Sequence, residues 1–275
     1  MKITLRKKDS VVSAMLFVFN IYNECKNTYS IRLADMLKMM GNFHKSEASI
    51  RTGLSRMAKS GILISRKEAG ETVYELTKEG VHNLNLWNTG LSRFYSRYAL
   101  RQKDWNETWH LLTIAEFNKS DYNNQYIVDE LRECGLREIN SNVWATPYPI
   151  DDDIIILLND RGFRYLKFQA SMSSNMDPGD LLNDAFELDM LKQKYVTLLH
   201  KADEAGKRMT VLNGGALLPV LFETGWDFYD TVTSDPALPK ALLQEWEGDR
   251  AVMQIKTIRP VLYREISGYF KVNNM

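Results

Sequence analysis

KSEASIRTGLSRMAKSGILISRKEAGETVYELTKEG, Lys45 to Gly80, changes character at Gly61. Before that glycine, Ile50, Leu54, Met57 and Ala58 recur at helical spacing, which predicts one apolar face on a helix capped by Ser46. After it, ILISRK and ETVYEL are short β-rich runs separated by EAG, where Gly70 can take the positive φ of a tight turn. Thr77, in TKEG, stands where the next helix needs a cap.

Upstream, two more helices are expected. The first covers about Ser10 to Glu24, with Asp9 or Ser10 able to cap it and Val12, Met15, Leu16, Phe19 and Tyr22 as its apolar stripe. The second is expected to be capped by Ser30, to bury Leu33, Ala34 and Leu37, and to stop at Gly41. The turn NFHK then leads to Ser46. Two helices joined by a few residues, with a glycine in the link, form a helix-turn-helix, and the hairpin behind it reads as a wing.

The predicted third helix carries Thr52, Ser55, Arg56 and Lys59 on its outer side, with Lys45 and Ser49 near its start and Arg51 on the flank. Arg66 and Lys67 are expected at the tip of the wing, where they could reach backbone phosphate or a minor groove. A major groove about 12 Å wide admits such a helix, arginine suits the paired acceptors of guanine, and lysine suits phosphate. Glu47 is discordant: it reads a cytosine or pairs with Arg51. The competing readings are an ordinary solvated helix face and a winged helix that binds protein rather than duplex DNA.

Charge is distributed to match. Residues 1–103 hold 18 Lys+Arg against 8 Asp+Glu, 18 − 8 = +10, and residues 104–275 hold 17 against 27, 17 − 27 = −10, within a net charge of zero. A basic module for a polyanion is joined to a part that need not touch one. The two cysteines, Cys25 and Cys134, are in no metal spacing and fit reduced cytoplasmic thiols. Lys2, Arg6, Lys7 and Lys8 before VVSAMLFVFNIY imitate a signal peptide. Asn20 interrupts that run, however, and its helical stripe favours a core helix. No other apolar run approaches the roughly 20 residues of a membrane span.

The stretch SIRTGLSRMAKSGIL followed by ISRKEAGETVYELTKEG resembles the N-terminal domain of PaaX-type repressors, the regulators of phenylacetic acid degradation. The similarity continues through WNETWHLL (Trp105 to Leu112), ELRECGLREINSNVWATPYP and DPALPKALLQEWEGDRA (Asp235 to Ala251), in the family's order. The resemblance implies a homodimeric repressor that binds a palindromic operator. It also implies release by an aryl-acyl-CoA, typically phenylacetyl-CoA, with no cofactor.

The whole chain is expected to be α+β. The expected parts are a winged helix-turn-helix over 1–87, a linker helix over 88–103, a ferredoxin-like βαββαβ domain over 104–175, and a mainly helical effector and dimer domain over 176–275. In the linker, Leu84, Trp87, Leu91, Phe94 and Tyr98 form a stripe for a subunit seam or for packing on its own domain. Gly90 there costs roughly 1 kcal/mol. In the middle segment, WHLLTIAEF, LREI, VWAT and FRYLKFQA read as strands, with Ser141-Asn142 as a hairpin link and Gly135 as a helix stop.

That middle fold admits a metal-dependent nuclease as an alternative, with Glu116, Asp151, Asp152 and Asp153 as oxygen ligands. The bland reading of the three aspartates is an acidic helix start. His44, His82, His110 and His200 make no ligand spacing, and no GxSxG elbow, HExxH pair, phosphate-cradling loop or dinucleotide fingerprint occurs. No catalytic or metal-binding residue is therefore assigned. After DPGD (Asp177 to Asp180), Ala185, Leu188, Leu191, Tyr195, Leu198 and Leu199 keep helical spacing, and Pro219 fits a first helical turn. Lys192, Lys194, Lys201, Lys207 and Arg208 are a local basic cluster that could meet effector phosphates.

Overall fold

The computed structural model describes residues 8–118, 120–121, 124–171 and 178–275, the side chains of 178–181 excepted. Lys2, Arg6, Lys7 and Asp177 lie outside the described residues. The chain is mixed α and β, mostly helical, with two antiparallel sheets. It divides into two compact units: Met1–Asn88 with Leu199–Phe228 and Ala251–Met275, and Thr89–Leu198 with Tyr229–Arg250. Each draws on segments far apart in sequence, unlike the consecutive stretches expected.

The first unit opens with α1 (Val11–Lys26), β1 (Ser30–Arg32), α2 (Leu33–Gly41) and α3 (Glu47–Lys59). β2 (Leu63–Glu68), β3 (Glu71–Leu76) and the start of α4 (Lys78–Arg101) follow. The strands pair in the order β1-β3-β2, with Ala69 and Gly70, at φ 50° and 83°, turning β2 into β3. Every residue of the expected α1 stripe is buried. Ser10 holds the α1 N-cap position, but its side chain makes no capping bond.

Ser30 does not cap α2. It pairs with Glu75 in β1, and α2 begins only at Leu33. Its buried face is Met36, Met39 and Met40, while Ala34 is exposed and Leu33 and Leu37 are half-buried. Apolar side chains line most of this helix, so spacing alone does not select between adjacent stripes, and unbranched methionine fills whatever gap packing leaves. Gly41 is the last helical residue, followed by a right-handed Asn42; the left-handed residue of this turn is His44, at φ 56°.

Helices from the far end of the chain complete this core. Leu217, Leu218, Val220 and Leu221, from a 3-10 turn (Gly214–Leu217) and α9 (Leu218–Val232), join Leu262, Ile266 and Phe270 of α10 (Glu247–Val272) against α1 to α3. Phe222 lies 5.1 Å from Phe17 and Phe270 5.6 Å from Tyr22, ring centre to ring centre.

The second unit holds β4 (Thr108–Ile114), α5 (Gln125–Glu133), β5 (Arg137–Asn140), β6 (Val143–Thr146), α6 (Asp152–Asp160) and β7 (Tyr165–Ser171). Its sheet runs β5-β6-β4-β7, every neighbour antiparallel. Leu112, Ile114 and Trp144 on one face meet Ile127 and Leu131 of α5 and Ile154 and Leu158 of α6. On the other face, Trp109 and Ala145 meet Leu182 and Phe186 of α7 (Pro178–Phe186), and Leu238. Gly135 ends α5 at φ 84°, and Asn142 turns the β5–β6 link at φ 58°.

The α4 stripe packs within its own chain. Leu84 and Phe94 are buried, and Trp87 stands 5.3 Å from Trp226. Gly90 is a close-approach residue, since a Cβ there would fall 2.4 Å from Glu133 Oε1 and 3.2 Å from the Tyr229 ring. A polar lattice surrounds the Ser234–Leu243 segment, reached by buried Arg97, Arg101 and Arg137. Arg101 donates to the Leu238 and Leu243 carbonyls and meets Asp249 at 2.8 Å. Asp235 accepts from the Tyr195 hydroxyl at 2.5 Å and the Trp246 ring nitrogen at 3.2 Å. This bonding offsets much of the cost of burying these charges, although the Arg97 Nε lacks a partner among the described residues.

Candidate nucleic-acid interface

The candidate surface is built by α3 and the β2–β3 hairpin. Ser46 caps α3 with its hydroxyl, which accepts from the Ser49 amide at 3.3 Å. At the other end, the Ser60 amide bonds to the Arg56 carbonyl and the Ile62 amide to Met57, while Gly61 takes φ 77°. That left-handed residue closes the helix and aims the chain into β2. Thr77 caps α4, accepting from the Gly80 amide at 3.1 Å.

Inside, α3 buries Ile50, Leu54 and Met57. Ala58 is only half-buried, and Gly53 takes the remaining inward place. A Cβ at Gly53 would fall 2.4 Å from Met15 Cε, so this glycine lets α1 approach α3 closely. Helical spacing is marked by apolar side chains, so a glycine such as Gly53 leaves no signal of its inward position in the sequence.

Outside, Arg51, Thr52, Ser55, Arg56 and Lys59 are all exposed, and Lys45 and Ser49 are partly exposed. The side chains of Arg56 and Lys59 make no hydrogen bond or ion pair with another described residue. Arg51 is engaged, its guanidinium 2.7 Å from Glu47 Oε1. The open alternative for Glu47 is thereby resolved in the free chain: it pairs with Arg51. Thr52 and Ser49 return their hydroxyls to backbone carbonyls, at 2.8 Å from Ala48 and 2.7 Å from Ser46. Lys45 reaches the Asp9 carbonyl at 3.4 Å.

Arg66 and Lys67 are exposed on β2 rather than at the tip itself, because Glu68 still pairs with Glu71 between them and the Ala69-Gly70 turn. Successive residues of a strand face opposite sides, so the two cations serve different faces of the ribbon. Arg66 pairs with Glu68 and, at 3.4 Å, with Glu75; Lys67 donates to Thr72 Oγ1 at 2.9 Å. The third strand of this sheet, β1, is too short for alternation to reveal it. It brings Arg32 beside Asp35 at 2.8 Å.

Three of the four carboxylates that could ligate a metal have partners within the chain, and the fourth, Asp152, is exposed in the first turn of α6. Glu116 is exposed and forms an ion pair with Arg164 at 2.9 Å. Asp151 caps α6, accepting from the Asp153 amide at 3.0 Å, and Asp153 lies 3.3 Å from Arg93. Among the described residues, no three His, Cys, Asp or Glu side chains are grouped to hold a metal ion. Burial, reinforced by Lys167, holds the His110 imidazole below its usual pKa.

Most of the basic cluster expected near effector phosphates is paired with the chain's own acids. Lys192 meets Glu247 at 3.3 Å and Lys194 meets Asp230 at 4.0 Å. Lys201 meets Asp227 at 3.2 Å and Arg208 meets Glu223 at 2.6 Å.

Residues 13–80 match the profile of the PaaX-like protein family, as the sequence resemblance implied. That span runs from α1 through the first residues of α4 and so contains the whole candidate surface. Among solved structures, the chain is similar to the uncharacterized protein Rv0674 from Mycobacterium tuberculosis. The TM-score is 0.55 at 17% identity, over 84% of this chain and 88% of that one. This similarity concerns the fold alone. The comparison with curated proteins returned no match. No helix among the described residues is long and apolar enough to cross a membrane.

Proposed function

We propose that this chain, with its PaaX-like segment, is a DNA-binding transcriptional repressor acting as a homodimer in the cytoplasm. In this reading residues 1–87 are a winged helix-turn-helix, supported by the element order and the β1-β3-β2 sheet. The α3 helix enters the major groove with Ser49, Arg51, Thr52, Ser55, Arg56 and Lys59, while Lys45 meets backbone at the helix start. The wing brings Arg66 and Lys67 to phosphate or minor groove. The observation that carries the reading is the two-sidedness of α3: Ile50, Leu54 and Met57 are buried, while Arg56 and Lys59 stand exposed and unpaired among the described residues.

The middle segment is read as ferredoxin-like, supported by the β5-β6-β4-β7 order. Its role here is architectural rather than catalytic, a reading supported by Asp151 serving as a helix cap and by Glu116 and Asp153 lying in ion pairs. The effector, an aryl-acyl-CoA such as phenylacetyl-CoA, follows from the family resemblance. It releases the operator by binding the DNA-incompetent arrangement more tightly, because equal affinity for both arrangements shifts nothing.

The test is duplex affinity as a function of salt, on operators found by genomic footprinting. The slope of log K against log salt should be about −0.9 per phosphate neutralised. Lys59→Gln should flatten that slope by about 0.9 per protomer. Absence of duplex binding at low salt would instead favour a protein-binding winged helix.

A further inference from the structure

We propose that Gly215 and Tyr269 are positioning residues for the candidate DNA surface: they latch the turn between α2 and α3 and so set how α3 is presented. The inference rests on the reading of α3 as a recognition helix, and adds to it residues that touch no DNA.

The turn is short. α2 ends at Gly41 and α3 begins at Glu47, so the path of residues 42–46 fixes the angle between the two helices. Asn42 and Phe43 are half-buried there, while His44 is exposed. Both half-buried residues meet segments from the far end of the chain. The Asn42 side-chain amide donates to the Lys38 and Met39 carbonyls at 3.2 Å, closing α2, and faces the Tyr269 hydroxyl of α10. The Phe43 ring stands 5.8 Å from Phe222 of α9 and 6.4 Å from Phe17 of α1.

Gly215 makes the close approach possible. A Cβ there would fall 2.7 Å from Tyr269 Cζ and 2.9 Å from Asn42 Nδ2, nearer than packed atoms come. It follows Gly214, at φ 54°, where a Cβ would lie 3.2 Å from the Tyr269 ring. The paired glycines of TVLNGGALLPV thus let the backbone rest against the tyrosine. Two further bonds tie α10 to α2 beside this contact. Lys38 Nζ donates to Asn273 Oδ1 at 2.5 Å, and Asn273 Nδ2 donates to the Tyr269 carbonyl at 2.8 Å.

A latch that selects one placement of α3 strengthens binding by raising the fraction of chains ready for DNA. The apparent dissociation constant is the intrinsic one divided by that fraction. The ready state still makes every phosphate contact, so a weakened latch lowers affinity and leaves the salt slope alone. Loss of a direct contact, as at Lys59, changes the slope. Positioning and contact are therefore separable.

The test joins operator affinity across a salt series to hydrogen exchange of the full chain. Gly215→Ala should bind about tenfold more weakly with the wild-type salt slope. Amides of residues 42–50 should exchange about tenfold faster, with the rest of the chain unchanged. In a chain carrying Tyr269→Leu, adding Gly215→Ala should cost less than about twofold, because the methyl then meets no ring. Tyr269→Phe keeps the ring and removes only the hydroxyl facing Asn42. It should weaken binding about threefold at an unchanged urea midpoint, and it reads the latch even where Gly215→Ala fails to fold. Wild-type affinity and exchange in these variants would overturn the latch and leave the repressor reading standing. A flattened slope, or exchange that rises equally throughout the chain, would also overturn it. A wild type without duplex affinity would sink the repressor reading, and exchange of residues 42–50 would still decide the latch.

Discussion

Replacing Glu47 by glutamine separates the folding role of α3 from its proposed DNA role, because the two effects have opposite signs. Glu47 is the first residue of α3 and lies 2.7 Å from Arg51 in an exposed i,i+4 pair. Such a pair contributes about 0.3–0.5 kcal/mol, and a carboxylate in the first turn adds about 0.3–1 kcal/mol through the helix dipole. Glu47→Gln should therefore lower unfolding stability by about 0.6–1.5 kcal/mol, read by urea denaturation. On DNA the carboxylate is a liability. One phosphate about 8 Å away in a water-like medium repels it by about 0.5 kcal/mol before screening, which salt at about 0.15 M roughly halves. With two or three phosphates lining the groove, and Arg51 released to meet them, affinity should rise about threefold per protomer and about tenfold per dimer. The gain should shrink as salt increases. Fluorescence anisotropy with a labelled operator reads this directly. A variant that binds more weakly at all salt concentrations would refute the reasoning, because Glu47 would then be reading a base.

Gly53→Ala gains about 1 kcal/mol of helix propensity but drives a methyl into Met15, where overpacking costs about 1–3 kcal/mol. The expected net loss of up to about 2 kcal/mol in denaturant melts should turn into a gain when Met15 is shortened. Burial alone would raise the Asp249 pKa, but hydrogen bonding and charge from Arg101 outweigh it, and the carboxyl sits below its ordinary value. A depressed carboxylate stabilises the fold above its unfolded pKa and loses that contribution as pH falls through the folded one. Asp249→Asn should accordingly cost about 2–3 kcal/mol at neutral pH, and its unfolding midpoint should fall less than that of wild type below about pH 4. Burial pushes the Cys134 thiol up to about 12, so at pH 8 it should resist iodoacetamide until the chain unfolds, as mass spectrometry of pulse-labelled protein would show.

Local chemistry made much of this fold readable. Ser46 and Thr77 cap their helices, Gly61, Gly70 and Gly135 take left-handed angles, and the Ser141-Asn142 link turns a hairpin, because these features depend on a few neighbouring atoms. The outer face of α3 was legible for the same reason, as the spacing of Ile50, Leu54 and Met57 leaves the cations outside. The face of α2 was not. When leucine, alanine and methionine occupy overlapping stripes, only the packed neighbour selects one, and here it selects Met36, Met39 and Met40.

The amino-acid order alone determined where α3 and α4 start, where α3 and α5 stop, which cations stand on α3, and that a hairpin follows it. These are short-range consequences of backbone geometry and of helical and strand periods. Tertiary structure decided that Phe222 and Phe270 lie against the first helices, that Gly53 admits Met15, that Glu47 holds Arg51, and that β7 forms the rim of its sheet. Contacts between residues up to hundreds of positions apart leave no period in the chain, because they are selected by the joint packing of whole elements.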